Sequence, residues 1–567
     1  MPILGTLASS SLGTFGLAQQ AQIAILKAST AIPATGTADS TGTADWSNIT
    51  LEHTLDNPNP FGTSENDQFG MAVAMSSTHA IIGAEFEDDA DGTTSGKAYI
   101  FDVTTGSLLY TLDNPNPNGT SLDDKFAHMV AISNTYAMVG AFQEDEITDG
   151  NSSGKVYIYD LADGSLIKTL NNRDPNGNPF SDLFGFSVAI SNTHAIVGAW
   201  GEDWGASSTG AAYIYNISSD GLFSQPIIIA NPTAAGSAYF GWSVALSDNY
   251  AIVSAPNEND ANGSYSGKAH IFNLSDGSLV YTLDNPNAYG TSGADGIGSM
   301  GIYHSPSQVT INDSYAVVGA PWEDDADGDN SGKVYVFDMS DGSLAYTLDN
   351  PNAFGTSEGD HFGLSVAIDG DILIVGAPYE DDDVSNNYPG KAYIFDLTDG
   401  SLVNTIDDPN AFGTSENDRF GHAVAISDGR ALVSASREDD GTGTSANSSG
   451  KAYIFSASAP AEESTGWSVD LSNVTYDSVS FGVNQDNDPM SIAFNNDGTK
   501  MYVVGYGNDS VYQYSTGSAY TVTYDSTIQF GGGTAPDSPL ANETDVLTFS
   551  TRDGGTTYQA AQAIDGA

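Results

Sequence analysis

From Trp46 onward the apolar residues fall in short runs of strand character, and the runs keep a fixed order. A stretch such as "FGFSVAIS" (Phe184–Ser191) alternates apolar and polar positions, as a strand with one buried face does. After a polar pair comes "AIVGA" (Ala195–Ala199), a continuous apolar run suited to a strand covered on both faces. "GKAYIFD" (Gly390–Asp396) alternates aromatic and aliphatic residues. "GSLAYTLDNP" (Gly342–Pro351) follows Asp341, and an Asp-Gly step closes a tight hairpin. Outside the apolar N-terminus, no segment carries a helical period over about ten residues.

The four runs recur seven times with a period of about sixty residues. A landmark dipeptide opens each unit: Phe69-Gly70, Phe126-Ala127, Phe184-Gly185, Phe240-Gly241, a degenerate Met300-Gly301, Phe362-Gly363 and Phe420-Gly421. A unit of four antiparallel strands is too small to bury its own faces, so the units must stack. The pattern predicts an all-β fold, a seven-bladed β-propeller over residues 46–458. The last unit stops after "GKAYIF" and lacks its fourth strand, while a spare copy, Leu51–Asp67, precedes the first. The N-terminal strand is therefore expected to complete the seventh blade, with Leu51–Pro58 beside Lys451–Phe455. Such closure hides edge strands that would otherwise template aggregation.

Composition narrows the function. The chain has 15 basic and 73 acidic residues, a net charge of −58. That field repels nucleic acid and anionic membranes. With 40% hydrophobic residues the acidity does not imply disorder. There is no cysteine, so packing or bound ions must hold the fold. Neither a cleavable secretory leader nor an apolar run long enough to span a bilayer is seen, which argues against Sec export and membrane insertion.

The repeats resemble FG-GAP repeats, the blades of integrin-α-like seven-bladed propellers. The landmark Phe-Gly, the strand end "VGAP" or "VSAP" (Val375–Pro378, Val253–Pro256) and the "GKAYIF" strand carry the likeness. The resemblance implies the propeller fold. In that family a calcium loop sits between the first two strands, whereas here the connection is a short turn such as "SNTH" (Ser191–His194). The family's calcium ligands have no counterparts.

The acidic residues lie instead between the second and third strands. Most units carry Glu-Asp there (Glu87-Asp88, Glu144-Asp145, Glu202-Asp203, Glu323-Asp324, Glu380-Asp381, Glu438-Asp439) and a Lys at the start of the third strand (Lys97, Lys155, Lys268, Lys333, Lys391, Lys451). One reading is a repeated ion pair between loop carboxylate and Lys. Another is a Ca2+ site, for which alternating carboxylates around a Gly bend are suited. Only two loops have the full alternation, giving Glu87, Asp89, Asp91 and Glu323, Asp325, Asp327 as candidate metal ligands. Asp67, Asp124, Asp182, Asp360 and Asp418, two residues before the landmark, read as turn caps. Trp200, Trp204, Trp242 and Trp322 fall in or near the connections of the third to fifth units and suit packing, glycan stacking or a protein contact.

Residues 1–45 read as an apolar docking peptide and linker. Residues 459–567 read as a small β-rich unit with one blade-like repeat, "DNDPMSIAFNNDGTKMYVVGYGNDSVYQYS", which resembles a blade of the YVTN or NHL type. The termini "MPILGTLASSSLGTFG" and "DVLTFSTRDGGTTYQAAQAIDGA" resemble those of virion structural proteins of marine bacteriophages. No nucleophile elbow, zinc-protease helix or phosphate loop appears. The expectation is a non-enzymatic virion protein, a tail fibre or tail-associated adhesin. It would dock to other tail proteins through its N-terminus and meet a host surface protein or glycan, with a homo-oligomer among the assemblies open to it. The alternative is a secreted or cell-surface bacterial adhesive propeller.

Overall fold

A computed structural model of the chain describes residues 44–458, apart from segments within the connections between strands, and six strands between 475 and 562. Two compact units are present, Ala44–Ala459 and a second made of Met1–Thr43 with Pro460–Ala567. No helix among the described residues is long and apolar enough to cross a membrane.

The first unit consists of seven four-stranded antiparallel sheets. The first blade pairs Ala72–Met75, His79–Ala84, Lys97–Asp102 and Leu108–Asp113 in chain order. The first strands of consecutive blades touch all the way round, and Phe420–Ser427 of the seventh meets Ala72–Met75 of the first. The sheets thus form a closed ring with first strands innermost. Burial follows the sequence pattern. The second and third strands are covered on both faces, while the outer strand exposes all but positions such as Leu112 and Leu348. The core lies between sheets: Val317, Val334 and Val336 of the fifth blade pack on Phe362, Leu373 and Tyr393 of the sixth.

Ring closure takes the expected form. Asp45–Asp56 lies antiparallel on Lys451–Ser458, with Leu51 opposite Phe455 and Asp56 opposite Lys451. Trp46 at the start of this strand is buried, and its carbonyl accepts a hydrogen bond from Asn404 Nδ2 of the sixth blade at 2.9 Å.

The landmark has a backbone cause. Its glycine takes φ of +90° at Gly185 and +92° at Gly241, a region that disfavours side chains. The glycine of the second strand answers it: a Cβ on Gly198 would lie 2.1 Å from the Gly241 carbonyl oxygen of the next blade. The fifth landmark is Ile297-Gly298, which corrects the assignment to Met300-Gly301. Ile297 N bonds Ser266 O at 3.0 Å and Gly298 N bonds Gly319 O at 2.8 Å, as Phe362 N bonds Ser331 O and Gly363 N bonds Gly376 O in the sixth blade. An apolar plug followed by a left-handed residue (Gly298 φ +71°) is what the position requires, and Ile-Gly supplies it. Met300 and Gly301 lie outside the described residues.

The second unit holds one six-stranded sheet in the order Thr475–Ser480, Val511–Ser515, Lys500–Gly505, Pro489–Phe494, Val546–Ser550, Gln559–Gln562. The second to fourth strands in this order are the meander read from "DNDPMSIAF…VYQYS". The sheet is wider than one blade because Val546–Ser550 and Gln559–Gln562 extend its edge.

Candidate functional site

In an antiparallel blade the second strand ends, the third begins, the fourth ends and the next blade's first begins at the same end of the sheet. The acidic connections therefore gather at one end of the ring, termed here the loop end. Beneath them each blade carries a recurring set of buried polar groups.

In the second blade Glu144 is buried and accepts from Tyr157 Oη at 2.6 Å and from Lys155 Nζ at 3.0 Å. Asp124, before the landmark, accepts from Asn114 Nδ2 at 2.9 Å. Asn114 follows the outer strand of the first blade, so the set ties adjacent blades together. The same Asn-to-Asp bond joins Asn57 to Asp67 (3.0 Å), Asn172 to Asp182 (2.6 Å) and Asn350 to Asp360 (2.8 Å). Tyr213 repeats the bond to Glu202 at 3.1 Å, and Tyr453 donates to Glu438. Burial and the neighbouring glutamate push the Tyr157 and Tyr213 hydroxyls far above their ordinary pKa, so they remain donors. Glu87 in the first blade is also pushed up, by burial first, against the opposing pull of Asn57, Tyr99, Asp67 and the Lys97 charge.

The lysines do not follow the reading of a loop ion pair. Strand register sets Lys97 opposite Asp113, Lys268 opposite Asp284, Lys333 opposite Asp349, Lys391 opposite Asp407 and Lys451 opposite Asp56. Each of these lysines pairs with that outer-strand aspartate. Lys155 is the exception because its cross-strand neighbour is Asn171, and it turns to Glu144. In the third blade both members are gone together: Ala211 stands opposite Ala230.

Two blades depart further. In the fourth, Ala238 replaces the pre-landmark Asp and His270 replaces Tyr. His270 Nε2 lies 3.2 Å from Glu258 Oε2, both buried, and Asn231 Nδ2 donates to the same oxygen at 3.3 Å. Burial pulls the Glu258 pKa up, but the hydrogen bond and charge of His270, with Thr233 and Asn231, outweigh it and hold Glu258 below its ordinary value. In the seventh blade Asp408 replaces Asn. Asp408, Asp418 and Glu438 then each bring an oxygen within 4.8 Å of the others. A carboxylate cannot donate the bond that Asn gives Asp elsewhere, so this group needs a shared proton or a cation. Three oxygens at that spacing fit one hard divalent ion.

Of the residues proposed as metal ligands from sequence, Glu87 and Glu323 are fully buried in their blades. Asp89, Asp91, Asp325 and Asp327 lie outside the described residues, as does Trp204. Sequence reading passed over Asp408. Its signal was "DDPN" (Asp407–Asn410) where four other junctions read "DNPN".

Aromatic side chains crown the loop end of the second to fourth blades. Phe186 lies 5.2 Å from Phe142, 5.8 Å from Trp200 and 4.7 Å from Trp242, and Tyr239 lies 4.7 Å from Trp200. Phe142 and Phe186 are buried, whereas Trp200, Tyr239 and Trp242 are half-buried.

No curated protein sequence matches this chain. Among solved structures, the crystal structure of BamB from Moraxella catarrhalis is similar at 13% identity and a TM-score of 0.33, over 82% of this chain and 100% of that one. The FG-GAP repeat model matches residues 62–101, 117–159, 175–215, 224–272, 306–337, 353–395 and 411–455, one segment for each blade. The chain belongs to the FG-GAP repeat family.

Proposed function

We propose that the chain acts by binding and not by catalysis, as an adhesion protein of a bacteriophage virion, in a tail fibre or beside the tail. FG-GAP propellers are typically adhesion or protein-binding modules, and the loop-end geometry supports the same use here. The observation that carries the reading is the division of labour at that end. The Asn-to-Asp bonds tie neighbouring blades, the Glu, Tyr and Lys groups bond within their own blade, and the strands so fixed carry the acidic connections at one end of the ring. The terminal sequences that resemble virion proteins support the particle as its location, with residues 1–45 docking to other tail proteins and the loop end meeting a host surface protein or glycan. Mass spectrometry of purified virions is expected to find peptides of this chain. Their absence there, with recovery from the outer fraction of bacterial cells, would replace the virion with a cell-surface protein.

Calcium is part of the proposal. Asp408, Asp418 and Glu438 would hold the ion, which would neutralise a carboxylate cluster at the junction of the sixth and seventh blades. The melting temperature is expected to fall on chelation and recover with calcium. In Asp408→Asn, which restores the ordinary set, it should no longer respond; an unchanged wild-type melting curve would discard the ion.

A further inference from the structure

Among the described residues, those that precede a landmark take the left-handed conformation, with φ of +59° at Lys125, +58° at Tyr239, +55° at His361 and +58° at Arg419. That conformation sets its side chain against the preceding blade at the loop end. At three junctions the side chain is basic and the preceding blade offers an aromatic ring. Lys125 Nζ lies 4.1 Å from the centroid of Phe86, the Arg419 guanidinium 4.7 Å from Tyr379, and the His361 ring 4.3 Å from Trp322. The chain thus places a cation or an imidazole on its own aromatic ring at these junctions.

The junction of the third and fourth blades has the rings without the cation. Tyr239 occupies the position of Lys125 and Arg419, its ring stacked 6.3 Å from Trp242 and 4.7 Å from Trp200. His128, the basic residue in the same aromatic run, is held 2.7 Å from Glu85 and lies against Phe142 and Phe186. The platform therefore offers indole and phenol faces, on a protein of net charge −58.

We propose that Trp200, Tyr239 and Trp242 form the docking site for a protein segment bearing arginine or lysine. The cation lies over the ring faces as Arg419 lies over Tyr379, and the acidic surface steers the encounter. This proposal rests on the reading of the chain as a binding propeller and names the chemistry of its partner.

The test uses the full chain, an Arg-rich and a Lys-rich peptide, a neutral Gly/Ser peptide and a neutral oligosaccharide, at about 0.15 M salt to screen diffuse attraction. Tryptophan fluorescence is expected to respond to the two basic peptides and to neither neutral probe. Trp242→Ala should weaken peptide binding roughly tenfold. Tyr239→Arg should weaken it as much with no loss of melting temperature, because it supplies in cis the cation that Arg419 supplies elsewhere and keeps a backbone that Lys125 and Arg419 already adopt. Equal affinity of wild type and Tyr239→Arg for the basic peptides would overturn the proposal, since binding would then be by charge alone. Saturable binding of the oligosaccharide without the peptides would overturn it in favour of a glycan. Adsorption of the wild-type chain to host cells is measured in parallel. Adsorption that Tyr239→Arg leaves intact discards this platform while the adhesion reading stands, whereas no adsorption by the wild type counts against adhesion itself.

Discussion

The first and fourth blades share a backbone and solve the same burial problem in opposite ways. In the first, two buried carboxyls, Asp67 and Glu87, sit together, and Glu87 is pushed toward its neutral form. In the fourth, Ala238 removes one carboxyl and His270 replaces the tyrosine, and Glu258 is held in its charged form. A buried charge is tolerated only when paired, so losing the aspartate and gaining the histidine belong together. The third blade shows the same logic on its outer side, where Lys and its cross-strand Asp are both alanine, Ala211 and Ala230. Positions that share a polar set change as a set.

The sharpest way to break this contrast is to orphan one charge. His270→Ala leaves Glu258 buried without its partner and is expected to cost about 3–5 kcal/mol in urea denaturation. In the first blade the corresponding Tyr99→Phe should cost about 1 kcal/mol. A similar loss in the two blades would refute the distinction.

The second contrast uses one substitution at equivalent sites. Glu258→Gln should destabilise by about 1–3 kcal/mol at neutral pH, because it removes the charge that His270 faces. Glu87→Gln should be neutral or stabilising, because the native site already favours the uncharged form. Their pH dependences have opposite signs. The folded pKa of Glu258 lies below its unfolded value, so its contribution is present above the unfolded pKa and is lost as pH falls through the folded one. The folded pKa of Glu87 lies above its unfolded value. Its native state therefore binds the extra proton, and stability declines as pH rises from the unfolded pKa through the folded one. Urea midpoints of the two variants against wild type, from about pH 4 to 7, should diverge in opposite directions.

Smaller effects belong to the rim and the backbone. Asp113 is 63% exposed but the Lys97 it meets is fully buried, so Asp113→Asn, which keeps an oxygen acceptor for the ammonium, should cost about 1–2 kcal/mol. Ala127 stands where the other described landmarks have glycine and holds φ +64°. Ala127→Gly should stabilise by at most about 1 kcal/mol, relief of the left-handed alanine being partly offset by the freer unfolded chain. A lower melting temperature in that variant would show that the methyl group contributes packing instead.

The ladder of strands was legible because side-chain period and turn chemistry repeat seven times, so an ambiguous unit borrowed certainty from its neighbours. Closure by Asp45–Asp56 was legible from counting strands. The polar sets were not. Lys97 is near Glu87 along the chain, but register places Asp113 across from it, and a pairing between strands is invisible to spacing alone. Asp408 escaped notice because its group assembles from three separate stretches of chain. The fifth landmark lies at Ile297-Gly298 and not at Met300-Gly301 because the position asks only for an apolar residue followed by a left-handed one, a need that spacing from the other units does not locate.

The most direct test is a double-mutant cycle in the fourth blade, Ala238→Asp against His270→Tyr, followed by urea denaturation at neutral pH. The first change adds a carboxylate beside a charged glutamate, and the second removes that glutamate's imidazole. If the sets are coupled, the double variant rebuilds the arrangement of the first blade and is more stable than the sum of the single losses predicts, by about 1 kcal/mol or more. Losses that simply add would show that each position is filled independently of its neighbours.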